Sequence, residues 1–212
     1  MTPYPPTASD RPRGRAPRPL LVALVPLTDA GVTKPATDSR RNADGSQPTA
    51  KAKVQPMLTE GDLAPGFTLP DQHGDPVSLA DLRGQTAVIY FYPRADTPGC
   101  TIQACGVRDR RADYERAGAR VIGVSPDPVK AIARFADKHS LDFTLLADED
   151  HSVAEAYGVW GEKKMAGKTY MGVTRSTFIV DPDGRIARAF PKVSPKGHDD
   201  VVLEALAELA AA

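Results

Sequence analysis

The chain has 212 residues, of which 41% are apolar, and its 27 basic and 27 acidic residues give a formal net charge of zero. This length allows one sizeable domain with its own hydrophobic core and an additional tail. A neutral chain has no overall electrostatic attraction for nucleic acid or for a membrane surface, so we expect neither as a partner.

The first 56 residues differ in composition from the remainder of the chain. They contain ten of the 20 prolines and carry 9 basic against 4 acidic residues, whereas residues 57–212 carry 18 against 23. A chain rich in Pro and Arg buries too little apolar surface to offset its ordering entropy. We therefore predict that residues 1–56 form a disordered extension, and Met57 is a candidate for the natural start.

One stretch of this extension, PLLVALVPL at 19–27, follows several arginines and so resembles a secretory signal peptide. Pro26 breaks the apolar run, the residues after it make a poor cleavage site, and the run is too short to span a bilayer. We therefore expect a cytoplasmic protein.

From residue 57 onward the hydrophobic pattern alternates between strands and helices. The predicted elements are two short strands around an HGD turn in 66–79, a buried strand at 86–93, a helix from Pro98 to about 114–116, a buried strand at 119–125, a helix from Pro128 to about His139, a strand at 143–148, a short helix at 152–157, a hairpin at 176–190 and an amphipathic C-terminal helix. This order predicts an α/β fold with a mixed central sheet flanked by helices.

The only two cysteines, Cys100 and Cys105, lie five residues apart in the stretch TPGCTIQAC. This spacing is not that of a CxxC redox pair, and two sulfurs are too few for a structural zinc site. With Thr97 as N-cap and Pro98 as the first helical residue, Cys100 falls in the first turn of a helix. Unpaired N–H groups and the helix dipole favour a thiolate there. The alternative is that Cys100 only packs against the sheet, as most single cysteines do.

The spacing of the two cysteines limits how they can pair. On an ideal helix, Cα atoms five residues apart are separated by roughly 8–9 Å, and a disulfide needs less than about 7 Å. The cysteines are therefore either two unrelated core thiols or a pair that bonds only after the helix unwinds. Gly106 favours the second possibility, because a glycine inside a helix costs about 1 kcal/mol relative to alanine.

Three blocks of this sequence resemble the Q-type peroxiredoxins, also called bacterioferritin comigratory proteins. The stretch PRADTPGC, within the longer block VIYFYPRADTPGCTIQAC, fits the peroxiredoxin pattern Pro-x-x-x-Thr-x-x-Cys with Pro93, Thr97 and Cys100 in register. The other two blocks are GDLAPGFTLPDQHG and the segment 157–181. The resemblance covers 57–212 and none of 1–56, and it implies a thioredoxin-like fold and a thiol peroxidase.

The resemblance also implies a role for each site residue. Cys100 would be the peroxidatic cysteine that attacks hydrogen peroxide or an organic hydroperoxide and becomes a sulfenic acid. Thr97 would hydrogen-bond the peroxide, Pro93 would shield the sulfenic acid, and Arg175 would polarise the peroxide and stabilise the thiolate. Cys105 would be the resolving cysteine, and thioredoxin or a similar dithiol would reduce the Cys100–Cys105 disulfide.

Departures from the family pattern are few. Gln103 stands where many relatives have Glu, and Arg94 stands where lysine is common. The four histidines have no ligand-like spacing, and no phosphate loop or dinucleotide motif is present, so the sequence implies no metal and no cofactor. With no further cysteine-bearing region for an intersubunit disulfide, we expect a monomer.

Two other functions compete with a peroxidase at this stage. A thioredoxin-type exchange protein is disfavoured by the missing CxxC, and Thr97 and Arg175 suit a peroxide better. A redox sensor or chaperone-like binding protein would form the same disulfide without rapid catalytic turnover.

Overall fold

The computed structural model describes residues 56–165 and 167–211. The extension that we predicted to be disordered, apart from Pro56, lies outside the described residues. Five α-helices are present in the described part of the chain, α1 (Pro98–Asp109), α2 (Arg111–Arg116), α3 (Val129–His139), α4 (Ser152–Ala156) and α5 (His198–Ala211), together with a short 3₁₀ helix at Leu79–Leu82. Its strands are β1 (Thr68–Pro70), β2 (Pro76–Ser78), β3 (Thr86–Phe91), β4 (Ala119–Ser125), β5 (Thr144–Ala147), β6 (Trp160–Met165), β7 (Lys168–Val173), β8 (Ser176–Val180) and β9 (Ile186–Phe190).

A five-stranded mixed sheet in the order β5-β4-β3-β8-β9 forms the centre of this part of the chain. Strands β3, β4 and β5 pair in parallel, and β8 and β9 complete the sheet in antiparallel fashion. The parallel strands are nearly continuous runs of apolar residues, as expected where both faces of a sheet are covered. The predicted α/β class with a mixed, helix-flanked sheet is confirmed.

Side-chain alternation along β3 divides the core into two apolar layers. Ile89 and Phe91 point into one layer, which α4 and the β1–β2 hairpin cover. Val88 and Tyr90 point into the other, which receives apolar side chains from α1, α2, α3 and α5. Cys100 belongs to this second layer.

Most predicted elements are present, with three differences. The helix expected to run to about 114–116 is interrupted at Arg110, so that α1 and α2 are separate helices. The strand predicted at 86–93 ends at Phe91, although the Tyr92 N–H still donates to the Val124 carbonyl at 3.0 Å. The β6–β7 hairpin was not predicted.

The missed hairpin is a two-stranded antiparallel sheet outside the main one. Its strands are rich in Lys, Gly and Met and lack the apolar alternation that marks a half-buried strand. Trp160 begins β6 and stacks on the His151 ring with centroids 4.2 Å apart. No helix in the described part of the chain is both long and apolar enough to cross a membrane.

Candidate active site

The loop between β3 and α1 carries Pro93 and Thr97 and is anchored from two sides. The Ala95 N–H donates to the Asp127 carboxylate at 2.6 Å, in the loop after β4. Asp96 adopts a left-handed backbone with φ of 57°, and its carboxylate accepts from Lys138 at 2.7 Å and from His139 at 2.9 Å. The hydrogen bonds from His139 and Lys138 hold the pKa of Asp96 below its usual value. These contacts fix the chain just before the helix that bears both cysteines.

Thr97 occupies the N-cap position of α1 with extended backbone, as predicted, but its side chain does not cap the helix. Its hydroxyl donates instead to the Arg94 carbonyl at 2.9 Å. Pro98 has no N–H, and the N–H groups of Gly99 and Cys100 lie too early in the helix to have an intrahelical acceptor. The first turn of α1 therefore offers a hydroxyl oxygen and two backbone donors close to Cys100.

Cys100 is buried, with 1% of its surface exposed. It lies on the inner face of α1 together with Gln103, Ala104 and Val107, the spacing of one helical stripe. Both cysteines are free thiols. Because the sulfur is buried to this degree, only the narrow end of a small molecule can reach it.

Arg175, in the loop between β7 and β8, reaches the sulfur of Cys100. Its Nη2 lies 3.0 Å from Cys100 Sγ. Its Nη1 donates to Gln103 Oε1 at 2.5 Å. A guanidinium aimed at a sulfur stabilises negative charge on it, and the planar fork fixes the geometry of both contacts. The structure thus places Arg175 at the sulfur of Cys100, three residues after Thr97 at the N-cap of α1.

Gln103 was noted in the sequence only as a departure from the family pattern, yet it is part of the site. Its side chain is 4% exposed, and its amide oxygen holds one arm of the Arg175 fork. The sequence did contain a signal for this position. Residues three apart share one face of a helix, so Gln103 is expected on the same helical face as Cys100.

Cys105 is half-buried and lies in the same continuous helix as Cys100. The helical spacing therefore keeps the two sulfurs from bonding in this conformation. Gly106 follows it, and a Cβ there would lie 3.1 Å from Asp199 Oδ1 of α5. Pro93 is exposed and lies two residues before Ala95, which is anchored to Asp127.

Within residues 56–165 and 167–211, no three His, Cys, Asp or Glu side chains come together as a metal site. What the site does contain is a buried thiol at a helix start, held by an arginine and flanked by a hydroxyl. This arrangement is that of an enzyme with a nucleophilic cysteine.

Comparison with known proteins identifies the family. The sequence profile of the AhpC/TSA family matches residues 61–189. Peroxiredoxin Bcp of Escherichia coli is 52% identical over 151 residues, which cover 71% of this chain and 97% of that protein. The chain therefore belongs to the AhpC/TSA family, among the bacterioferritin comigratory or Q-type peroxiredoxins, and it is a peroxidase.

Solved structures agree with this assignment. Peroxidoxin BcpB of Mycobacterium tuberculosis matches with a TM-score of 0.64 and 36% identity, covering 72% of this chain and 98% of that one. The bacterioferritin comigratory protein of Xanthomonas campestris matches with a TM-score of 0.65 and 38% identity, covering 68% of this chain and 92% of that one. The sheet and helices described above are accordingly those of a thioredoxin-like peroxiredoxin.

Proposed function

We propose that this peroxidase reduces hydrogen peroxide and organic hydroperoxides through Cys100. The observation that carries the proposal is the 3.0 Å contact between Arg175 Nη2 and Cys100 Sγ at the start of α1. The X. campestris relative was solved as trapped-intermediate and ligand complexes that bear on its alkyl peroxide reduction activity. That activity supports organic hydroperoxides as substrates here.

In the first step the Cys100 thiolate attacks the nearer oxygen of the peroxide. The O–O bond breaks, sulfur keeps the attacked oxygen as a sulfenic acid, and the other oxygen leaves and takes up a proton from solvent to give water or an alcohol. Arg175 stabilises the charge on sulfur and on the peroxide oxygens. The Thr97 hydroxyl donates its hydrogen bond to the Arg94 backbone carbonyl, so its oxygen is free to accept a hydrogen bond from the peroxide O–H. Pro93 shields the sulfenic acid from the solvent side.

In the second step the Cys105 thiol attacks the sulfenic acid. The S–O bond breaks, a Cys100–Cys105 disulfide forms, and water leaves. Since both cysteines lie in α1, the helix must open before the sulfurs can meet. This opening makes the resolving step a conformational change as well as a chemical one.

We further propose that thioredoxin or a similar dithiol reduces this disulfide. Thiol–disulfide exchange passes two electrons to Cys100 and Cys105 and leaves the reductant oxidised. A cycle of this kind suits a reducing compartment, which supports the cytoplasm as its place. The intramolecular disulfide requires no second subunit, which supports a monomer.

A thioredoxin-coupled assay on the full chain tests these steps. With hydrogen peroxide, the wild type should consume reductant in repeated turnovers, and Cys100→Ser should consume none. Cys105→Ser should react once and then accumulate sulfenic or sulfinic acid at Cys100, detected by mass spectrometry. Full activity of Cys100→Ser would overturn the nucleophile assignment, and repeated turnover without a 100–105 disulfide would make Cys105 a bystander. Formation of the disulfide without turnover would favour a redox sensor.

A further inference from the structure

A second group of charged side chains, Lys163 and Lys192, approaches the site from elements other than α1. The segment after β9 is bound to the Arg175 loop by two hydrogen bonds. Ser176 Oγ donates to the Pro191 carbonyl at 2.9 Å, and the Val193 N–H donates to the Arg175 carbonyl at 3.1 Å. Lys192, between these two anchored residues, is therefore held next to Arg175, and its side chain is exposed.

Lys163 approaches the same place from the β6–β7 hairpin. It lies opposite Tyr170 in the hairpin register, and a Cβ at Gly172 would lie 3.9 Å from its Cδ and 3.3 Å from the Tyr170 ring. Its aliphatic stem therefore runs along the hairpin face that leads to the Arg175 loop. Burial, followed by the charges of Lys192 and Arg175, lowers the pKa of Lys163.

None of these three cations pairs with a carboxylate among the described residues, whereas Arg108, Arg110 and Arg111 each do. The polar partners of Arg175 are the Gln103 amide and the Cys100 thiol.

Two acidic residues on the neighbouring elements, Glu162 and Asp199, are directed elsewhere. Alternation along β6 places Glu162 on the opposite face of the hairpin from Lys163. The Asp199 carboxylate lies against Gly106 on α1. Like charges held together without a counter-charge repel each other and attract an anion.

We propose that Lys163 and Lys192 bind the carboxylate of an anionic organic hydroperoxide whose –O–O–H end reaches Cys100 beside Arg175. A small molecule fits better than a protein surface because Cys100 is only 1% exposed. Tyr170 is 45% exposed and lies next to Lys163, so it offers an apolar surface for the body of such a substrate. This inference rests on the proposed role of Cys100 as nucleophile.

A matched pair of substrates tests the selection by charge. Cumene hydroperoxide and its ring-carboxylated analogue differ only in the carboxylate. In Lys163→Gln/Lys192→Gln, kcat/KM for the carboxylated peroxide should fall about fivefold more than the value for the neutral one, the size expected of partly exposed ion pairs. The wild-type preference should weaken as salt is added. Lys164→Gln is the control, because Lys164 is the next residue on β6 and its side chain is on the other face.

Alkylation of Cys100 gives a readout that does not depend on peroxidase activity. In a Cys105→Ser background, the rate with iodoacetate relative to iodoacetamide should fall in the double lysine variant and stay unchanged in Lys164→Gln. This result would support the anion site even if the peroxidase proposal failed. Equal changes for the charged and neutral reagents, or an equal effect of Lys164→Gln, would overturn the inference.

Discussion

Arg175 contacts the sulfur on which the proposed chemistry depends. Its fork makes two contacts at once, to Cys100 Sγ and to Gln103 Oε1, and both lie on the inner face of α1. A lysine keeps the positive charge but offers no planar fork, so it cannot hold both partners in one geometry. Substitution of Arg175 by lysine therefore separates the effect of the fork geometry from the effect of the positive charge.

We predict that Arg175→Lys lowers kcat/KM for hydrogen peroxide about 10- to 100-fold, because a hydrogen bond to a charged group contributes about 1.5–3 kcal/mol. The rate of Cys100 alkylation should fall with it. Arg188→Lys is the control, since Arg188 pairs with Glu60 and Glu208 away from the sulfur. An Arg175→Lys enzyme with unchanged peroxidase and alkylation rates would show that the fork has no catalytic role.

Gln103 allows a second test at the same scale, because its neutral amide positions Arg175 without offsetting its charge. Gln103→Leu fills a similar volume but leaves Arg175 Nη1 without an acceptor, so we predict about a tenfold loss of kcat/KM. Gln103→Glu should retain most of the activity, since a carboxylate also accepts from Nη1. Equal activity of the Leu and wild-type enzymes would mean that Arg175 needs no such support.

At the scale of the elements, the proposed mechanism requires two conformations of α1. Folded, it holds Cys100 against Arg175, and opened, it would let Cys105 reach the proposed sulfenic acid. Its outer contacts include Arg108 donating to the His139 carbonyl at 2.6 Å, and Arg110 after its end pairs with Asp200 at 2.8 Å. The anchored loop before Pro98 and the break at Arg110 confine the opening to this one helix.

We predict that Gly106→Ala slows disulfide formation and increases over-oxidation, because alanine stabilises the helix by up to about 1 kcal/mol. The new Cβ would lie 3.1 Å from the end of the Asp199 side chain, which is half-buried and has to shift slightly. Ile102→Ala raises helix propensity at an exposed position of α1 without touching Asp199, so it should act in the same direction.

Amide hydrogen exchange across residues 98–110, measured in the reduced and in the disulfide form, tests whether α1 opens. Protection should be high in the reduced form and lost in the disulfide form. Equal protection in both forms, with the disulfide present, would contradict the opening of α1.

The helix α5 begins with a buried histidine, His198, whose Nε2 lies 2.8 Å from Thr177 Oγ1 of β8. Burial lowers the pKa of His198 from 6.5 to about 4, and the charge of Arg175 also lowers it while Asp199 acts to raise it. The unfolded chain therefore binds a proton between pH 6.5 and 4 that the folded chain does not. Stability from this group is fully present above pH 6.5 and is lost as the pH falls through this window.

We predict that the wild type loses about 2 kcal/mol more unfolding free energy than His198→Gln between pH 7 and pH 4.5. Gln keeps a hydrogen-bonding side chain but does not titrate in this range. Denaturant unfolding at each pH measures the difference, with His73→Gln as the control because His73 is exposed in the β1–β2 turn. Parallel pH profiles for the wild type and His198→Gln would exclude this role.

The elements that the sequence predicted correctly have an apolar pattern that reflects one environment, such as burial of a strand on both of its faces. The β4 strand was predicted with its observed bounds because all of its residues except Arg120 are buried, which gives a nearly continuous apolar run. The β6–β7 hairpin has no such pattern, and its Gly and Lys residues favour loops. The break at Arg110 coincides with an ion pair from Arg110 to Asp200 of α5, a tertiary contact that a helical periodicity cannot show.

The site was predictable to different degrees for similar reasons. Cys100 and Thr97 follow from the local pattern of a strand, a loop and a helix start. Arg175 is 75 residues from Cys100 in sequence, so only the family resemblance brought it to the site. The positions of Lys163 and Lys192 depend on the missed hairpin and on hydrogen bonds of the segment after β9, which no local pattern encodes.

At the scale of the whole molecule, the chain combines a peroxiredoxin domain with a preceding segment of a different composition. The family profile begins at residue 61, but the packed structure begins earlier. The Leu58 N–H donates to the Tyr157 carbonyl, and Met57 and Leu58 pack against the core. A Cβ at Gly158 would lie 2.4 Å from the Pro56 carbonyl oxygen, so this stretch runs directly over Gly158.

We predict that removing residues 1–55 leaves the melting temperature and the peroxidase rate nearly unchanged, because their composition provides no core. Removing residues 1–58 also strips the apolar side chains of Met57 and Leu58 from the core, at a cost of about 1–2 kcal/mol. This should lower the melting temperature by about 3–6 °C. Calorimetry and the coupled assay on both truncated chains and the full chain make the comparison. A large loss already on removal of residues 1–55 would show that the extension contributes to the fold, and protection of its amides from hydrogen exchange would locate the contribution.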